Sequence, residues 1–538
     1  LGITYGNDDT EKFYSRNDTR YEDVEAIKKG EYRSANTRTN QVEGELSVTY
    51  AKLLGKHRVN LVAGGNVFSN KSLTQGYSAQ GFPEGDFSYP SFSNGYPENG
   101  TPTYYESVSR SVNGYFNTGY SFDDRYLMDF SLRTSGSSVF GTSRKYNTTW
   151  SVGLGWNLHK EKFIMNHVGW IDLLKLRASI GNPGNQNFAS YQAFSTYAFT
   201  HWMSNIFGTG VILEGLGNPD LAWQETINYS LGTDITMFNE RVNLTLDLYR
   251  KKTDPLVAAI TTPSSIGVKS VMMNMGQLKT DGIEVTLKVS PIYRPQDRFV
   301  WNISLNGTHA KSKYSKIGNR LQSMNEQNQA NLNTTRYYDG GSPTDIWAVR
   351  SAGIDPATGQ DLFIKKDGTY TFTYDKNDEV VVGNTEPKLE GVLGTTLYYK
   401  GLSFGCYLRY RLGGQVFNSA LYEKVGNMDR EGINYNQDKR ALYDRWSTPG
   451  QEAKFKRISL FQTTETSSRF VMDENTLSGE SFNIGYEFTQ PFIKHVGLST
   501  LTVQANMNDI FRVSSVKSER GIDYPFARTM SFSISATF

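Results

Sequence analysis

The chain has 538 residues, a formal net charge of +2, and 50 Gly, 33 Tyr and 30 Phe against only 16 Pro. That balance of charge gives no attraction toward nucleic acid, and a single cysteine, Cys406, excludes an intrachain disulfide or a cysteine-rich metal site. No run of about 18 apolar residues occurs, so no transmembrane helix is expected, while membrane strands, which leave only a weak alternating signal, are not excluded.

The opening LGITYGNDDT lacks a basic region, an apolar stretch and a cleavage site. It reads as the tail of a strand running into a polar loop, and the chain is expected to begin inside a longer protein. Leu46, Val48 and Tyr50 then alternate with polar neighbours, turn at Leu54–Lys56, and continue through Val59, Leu61 and Ala63. A polar, aromatic loop over about 69–105 precedes a strand at about 107–122. A turn at Asp123–Arg125 leads to Tyr126, Met128, Phe130 and Leu132, and a loop at 138–147 to Trp150, Val152, Leu154 and Trp156. The connection 159–172 leads to Leu174, Leu176, Ala178 and Ile180, opposite Lys175 and Arg177. After a loop at 183–222, Ile227, Tyr229, Leu231 and Ile235 turn at Asn239–Arg241 into Val242, Leu244, Leu246 and Leu248. Asn243, Thr245, Asp247 and Tyr249 take the other face.

Loop 253–281 is followed by Ile283, Val285, Leu287 and Val289. A turn at Pro291–Asp297 leads to Phe299, Trp301, Ile303 and Leu305. Loop 312–388, the longest, precedes Leu393, Leu397 and Tyr399, which turn at Lys400–Gly401 into Leu402, Phe404, Cys406, Leu408 and Tyr410. Ser403, Tyr407, Arg409 and Arg411 point the opposite way. Loop 414–477 leads to Phe482, Ile484, Tyr486 and Phe488, a turn near 490–498, and Leu501, Val503, Ala505 and Met507. After loop 511–527 the last strand places Met530, Phe532, Ile534, Ala536 and Phe538 on one face.

The pattern gives about fifteen strands plus the stub at Leu1–Tyr5, with short and long connections in strict alternation. Long loops gathered at one end of a hairpin meander are the signature of an all-β, antiparallel transmembrane barrel, with short periplasmic turns and long extracellular loops. In lipid every backbone N–H and C=O must be paired within the protein, which only helices and closed barrels achieve. The apolar face of each strand then meets acyl chains. Asp129, Lys175, Arg177, Asp247, Arg409 and Arg411, on the polar face, line the lumen. Trp150, Tyr249, Trp301 and Tyr399, near strand ends, suit interfacial aromatic girdles. A set of soluble β-sandwiches is disfavoured, because sandwich strands are shorter and their loops do not alternate in this way.

Chemistry elsewhere is sparse. Gly401-Leu402-Ser403-Phe404-Gly405 fits G-x-S-x-G, but begins a strand where a nucleophile elbow needs a strand-to-helix turn. Asp375, Asn377, Glu379 and Glu386 have calcium-loop spacing, but Val380 stands where the tight turn needs glycine. The six histidines show no metal-ligand spacing. Neither an enzyme nor a cofactor is expected. Aromatic residues of the long loops, Trp202, Phe207, Tyr337, Tyr338 and Trp347, are the candidate ligand contacts. Flat rings bury the apolar face of a sugar while nearby polar groups take its hydroxyls. Tyr407, Arg409 and Arg411 are lumen candidates, with field-setting or packing roles as the plain alternative.

Several segments resemble the SusC-like (SusC/RagA) branch of TonB-dependent outer-membrane transporters. They are GNPDLAWQETINYSLGTDITMFNERVNLTLDLYRKKT (217–253), NMGQLKTDGIEVTL (274–287), SAGIDPATGQDLF (351–363), GNTEPKLEGVLGTTLYYKGLSF (383–404) and YPFARTMSFSISATF (524–538). The resemblance covers most of residues 40–538 and implies a 22-stranded barrel plugged by an N-terminal domain. Residues 1–538 would then be its C-terminal barrel portion, with the plug, the TonB-contacting segment and about six strands outside this chain. It further implies import of an oligosaccharide or oligopeptide across the bacterial outer membrane, energised by the TonB complex and capped by a SusD-like surface lipoprotein. Phe532, Ile534 and the terminal Phe538 resemble the signal read by barrel-insertion machinery. A siderophore- or cobalamin-type receptor, a passive porin and, more remotely, an outer-membrane hydrolase or adhesin remain alternatives.

Overall fold

The computed structural model describes residues 1–85, 87–98, 100–138, 145–183, 194–206, 208–222, 224–427, 438–459, 463–488, 495, 497–517 and 528–538. Its main feature is an antiparallel sheet of 16 strands that follow one another in chain order. They are β1 (Gly2–Tyr14), β2 (Glu31–Leu54), β3 (His57–Gln80), β4 (Thr103–Phe122), β5 (Tyr126–Ser137), β6 (Tyr146–Asn157), β7 (Ile171–Asn182) and β8 (Thr226–Met237). The second half contains β9 (Val242–Thr253), β10 (Gln277–Arg294), β11 (Phe299–Ser315), β12 (Leu389–Tyr399), β13 (Leu402–Phe417), β14 (Val471–Phe488), β15 (Thr500–Ser514) and β16 (Met530–Thr537). Among the described residues, no helix is long and apolar enough to cross a membrane.

The chain forms two compact units, one of Leu1–Gly153, Gly181–Ile227 and Asp254–Met275, the other of Leu154–Ile180, Asn228–Thr253 and Gly276–Phe538. In the first, Val48 faces Ala63, Ala63 faces Phe116 and Phe116 faces Leu132 across β2 to β5. In the second, one row runs Trp301, Leu397, Phe404, Ile484, Ala505, Phe532 across β11 to β16. The next row, on the opposite face, is Asn302, Thr396, Gly405, Asn483, Asn506, Ser531. Because side chains alternate strictly along a strand, a slip of one residue would have scrambled these rows. The alternation in the sequence therefore reports the true faces. Large apolar side chains of the apolar parity stay open in each unit, Leu46 at 77% exposed in the first, Leu231 at 56% and Ile534 at 74% in the second. A patch of that extent is untenable in water, and acyl chains are the solvent that fits it.

The polar face is built with glycine. A Cβ at Gly64 of β3 would meet the Tyr115 hydroxyl at 2.6 Å; without it the Tyr115 ring crosses β3 and donates to Glu45 Oε1 at 2.6 Å. Tyr249 lies over Gly282, and Tyr407 over Gly394, in the same way. A ring laid over a neighbouring strand's glycine covers the bare backbone there. Tyr249 is thus a polar-face residue, which corrects its assignment to an interfacial girdle. Aromatic pairs do gather at the short-turn end: Trp170 stacks with Phe238 at 5.6 Å, Phe299 meets Tyr399 at 4.9 Å and Tyr486 meets Phe488 at 4.6 Å.

Several boundaries differ from expectation. The opening stub is a full strand, paired with β2 from Gly2↔Glu43 to Tyr14↔Glu31. β2 and β3 each run 24 residues, about twice what a bilayer requires. β3 thus continues to Gln80 through the expected loop, and β10 continues to Arg294 past a bulge between Val289 and Ile292. Beyond the lipid both faces of a strand are wet, so no alternation marks them. Connection lengths also alternate less strictly than expected. The loop at 138–145 is shorter than the opposite-end connection at 158–170, which folds the helix Lys162–Met165.

Candidate functional site

The two longest connections are folded. Residues 316–388 form the helix Gln322–Ala330 and a four-stranded sheet ordered Tyr370–Thr371, Asp361–Ile364, Asp345–Ile354, Glu379–Asn384. In the described parts of the second connection, 418–427, 438–459 and 463–470, Leu421, Val425, Phe455 and Phe470 pack into a small core with Phe417, Tyr422 and Met472. The two segments hold each other. Arg469 Nη2 sits 2.7 Å from Asp361 Oδ1, with both side chains nearly buried. Trp446 Nε1 donates to Pro356 O at 2.7 Å, and its ring covers Gly359, whose φ of +71° suits glycine. Ser351 N donates to Ser468 Oγ at 2.9 Å. Burial pushes the Lys456 amine down and the Glu465 carboxyl up.

Two cavities open in this body. The smaller, about 220 Å³, is lined by Asn325, Gln329, Arg336, Tyr338, Trp347 and Glu379 among others. Its floor is an ion pair, Arg336 Nη2 to Glu379 Oε2 at 2.7 Å, with each side chain 7% exposed. Gln329 Nε2 adds a donor to the same oxygen at 3.2 Å. The Tyr338 hydroxyl donates to Asp345 Oδ2 at 3.0 Å, and burial, then the carboxylate, push it up to about 12. The Tyr338 and Trp347 rings meet edge to face at 5.0 Å and 85°. Trp347 Nε1 is buried without an acceptor among the described residues, an arrangement that native proteins rarely leave unused.

The larger cavity, about 680 Å³, lies where β11 to β14 end, and includes Lys311, Lys313, Lys388, Asp345, Glu386 and Asp473 in its wall. Its acids are engaged by neutral donors: Asn384 Nδ2 on Asp345 at 2.8 Å and Gln415 Nε2 on Asp473 at 3.0 Å. Asp345 therefore belongs to the wall of the larger cavity and anchors Tyr338 of the smaller one.

Of the sequence candidates, the fold brings Tyr338 and Trp347 together. Tyr337 stands apart, its ring 5.8 Å from Tyr314. Trp202 falls in the strand Thr196–Asn205, paired with Gly208–Gly215, but its side chain lies outside the described residues, as does Phe207 altogether. Arg409 is exposed and pairs with Glu480 at 2.9 Å. Arg411 donates to Thr385 O at 2.6 Å and lies 3.3 Å from Glu474, which Arg512 also approaches at 3.2 Å. Phe532, Ile534 and Phe538 are 73%, 74% and 90% exposed on the outward face. Ser403 sits in a regular ladder opposite Tyr398, without an elbow. Asp375 caps a short turn through Asn377 N, and Glu379 is held by Arg336, so the calcium-like spacing is taken up by the loop's own fold.

Sequence reading missed one cluster. Arg177 of β7 reaches Asp234 of β8 at 2.7 Å and Asp247 of β9 at 3.0 Å. It crosses β8 at Gly232, where a Cβ would collide with Asp247 and approach Arg177 Nη2 at 2.9 Å. The glycine was the available signal.

A family profile described as "TonB dependent receptor-like, beta-barrel" matches residues 1–418. The chain belongs to this family. TonB-dependent receptor P39 of Formosa agariphila is 25% identical over 442 residues, 74% of this chain and 42% of that protein. TonB-dependent receptor SusC of Bacteroides thetaiotaomicron is 25% identical over 517 residues, 90% of this chain and 48% of that protein. Among solved structures, that of the RagAB peptide transporter superposes with a TM-score of 0.82 at 21% identity, over 96% of this chain and 56% of that one. The chain thus spans about half the length of the curated relatives it matches. As a TonB-dependent receptor barrel of the SusC-like kind it is an outer-membrane protein, and its family is one of transporters and receptors, not of enzymes.

Proposed function

We propose that this chain, residues 1–538, is the C-terminal barrel portion of an active importer that carries an oligomeric nutrient across the bacterial outer membrane. A plug and further strands outside this chain would complete it, the TonB complex would energise it, and a SusD-like surface lipoprotein would close over the long loops. The reading rests on the family and on one observation above all. The two longest loops are folded into a body at the long-loop end, with two cavities linked through the Tyr338–Asp345 hydrogen bond and a buried Trp347 N–H that has no acceptor among the described residues. Such a constellation binds: rings for an apolar face, fixed amides and carboxylates for hydroxyls or peptide groups. An oligosaccharide and an oligopeptide both fit that chemistry. RagAB, which shares this fold, is a peptide transporter, and that adds weight to the oligopeptide.

The test is uptake by a deletion strain carrying the full-length gene with Trp347→Phe, which keeps a ring and removes the N–H. Labelled oligosaccharide and oligopeptide pools are supplied separately. The half-saturating concentration of the transported pool should rise about tenfold with the maximal rate retained. Unchanged uptake would remove Trp347 and its cavity from the transport path.

A further inference from the structure

On the outward face of β9, β10 and β11 the apolar belt gives way to cations. Leu246 faces Val285 and Leu248 faces Ile283; one step further Arg250 faces Asp281, and Lys252 faces Lys279. On the next strand Asp281 faces Lys311 and Lys279 faces Lys313. All share the parity of the lipid-facing leucines, so they leave the sheet on the same side. They stand at the ends of β9 and β11 that lead into the long connections 254–276 and 316–388, and at the end of β10 that follows one. A groove of about 850 Å³ crosses this boundary, with Leu231, Leu248, Arg250, Lys252, Lys279 and Asp281 in its wall. Leu231 and Leu248 are 56% and 44% exposed there. The one carboxylate among these six serves two partners, Arg250 and, at 3.4 Å, Lys279. Lys252 makes no ion pair among the described residues. Further along the row, Lys311 and Lys313 also line the larger loop cavity, near Glu386.

We propose that this groove binds an outer-leaflet lipid with a phosphorylated headgroup. Its acyl chains lie along Leu231 and Leu248, and its phosphate sits among Arg250, Lys252 and Lys279. Isolated cations at a membrane rim need no ligand, because their stems reach the interface unaided. Here three cations meet one acid above an apolar floor, and that pairing of chemistries is the complement of a phosphorylated lipid. The proposal rests on the long-loop end being the outer one and is independent of the cargo.

The probe is bis-phosphorylated lipid A, added to the full-length transporter in detergent and read by native mass spectrometry beside the same lipid stripped of phosphate. The wild type should retain the phosphorylated form at least roughly tenfold better. The Lys252→Glu/Lys279→Glu variant should lose that preference. Lys251→Glu makes one such charge reversal on the opposite face, where Lys251 lies over the Tyr249 ring at 4.7 Å, and should keep it, as should Lys252→Arg, which keeps the cation. Heat-modifiable gel mobility reports that each variant is folded, and the dephosphorylated arm needs no variant at all. Equal retention of the two lipids by the wild type, a preference that survives in the double variant, or equal loss in Lys251→Glu would each overturn the assignment.

Discussion

Glu386 shows how a single loop carboxyl is tuned by its surroundings. Burial raises it above the ordinary glutamate value of 4.5, against the pull of the Ser312 amide and the charges of His309 and Lys311. The folded protein therefore binds this proton more tightly than the unfolded chain does. Its contribution to stability is complete below the unfolded value and is lost as pH rises through the folded one. Glu386→Gln should slow hydrogen exchange in residues 316–388 near neutrality, and variant and wild type should converge below pH 4.5. An equal gain at both pH values would place its origin elsewhere. At this scale the sequence shows residue types without their partners. Glu379 stands in a run of acids with calcium-like spacing, yet its role is set by Arg336, 43 residues away in the chain. Tyr338 and Trp347 were readable as loop aromatics. Their edge-to-face contact, and the N–H left over, required the folded sheet around Asp345–Ile354.

The strands were legible wherever one face meets lipid and the other does not. The alternation in Phe482, Ile484 and Tyr486 became a register in which Ile484 faces Phe404 and Ala505. It was silent over residues 6–14, 31–44 and 69–80, which lie in strands beyond the need of the bilayer. Hairpins inside connections, such as Leu256–Thr261 with Ser270–Met275, were read as loop for the same reason. The face assignment has a direct test in adjacent substitutions. Ile484→Lys puts a charge among acyl chains at a cost of about 2–4 kcal/mol near the midplane, while Asn483→Lys points it toward the wet side. Membrane-inserted protein, quantified by heat-modifiable mobility, should fall for the first and hold for the second. A reversed ranking would mean that the two faces have been exchanged.

At the scale of the whole molecule, fold class and membrane could be read from connection lengths and strand parity, because the bilayer imposes both. The folded body of the long loops could not. Its determinants, Asp361 with Arg469 and Trp446 over Gly359, join segments far apart in sequence that carry no shared pattern. Family and architecture together support an importer, and what separates that from a passive pore on the same barrel is energy. The decisive measurement is uptake of the transported oligomer by cells carrying the full-length gene, before and after collapse of the inner-membrane proton gradient, at equal amounts of barrel in the outer membrane. The account predicts that collapse reduces uptake to the level of the deletion strain. Uptake that continues undiminished would show a passive pore and contradict it.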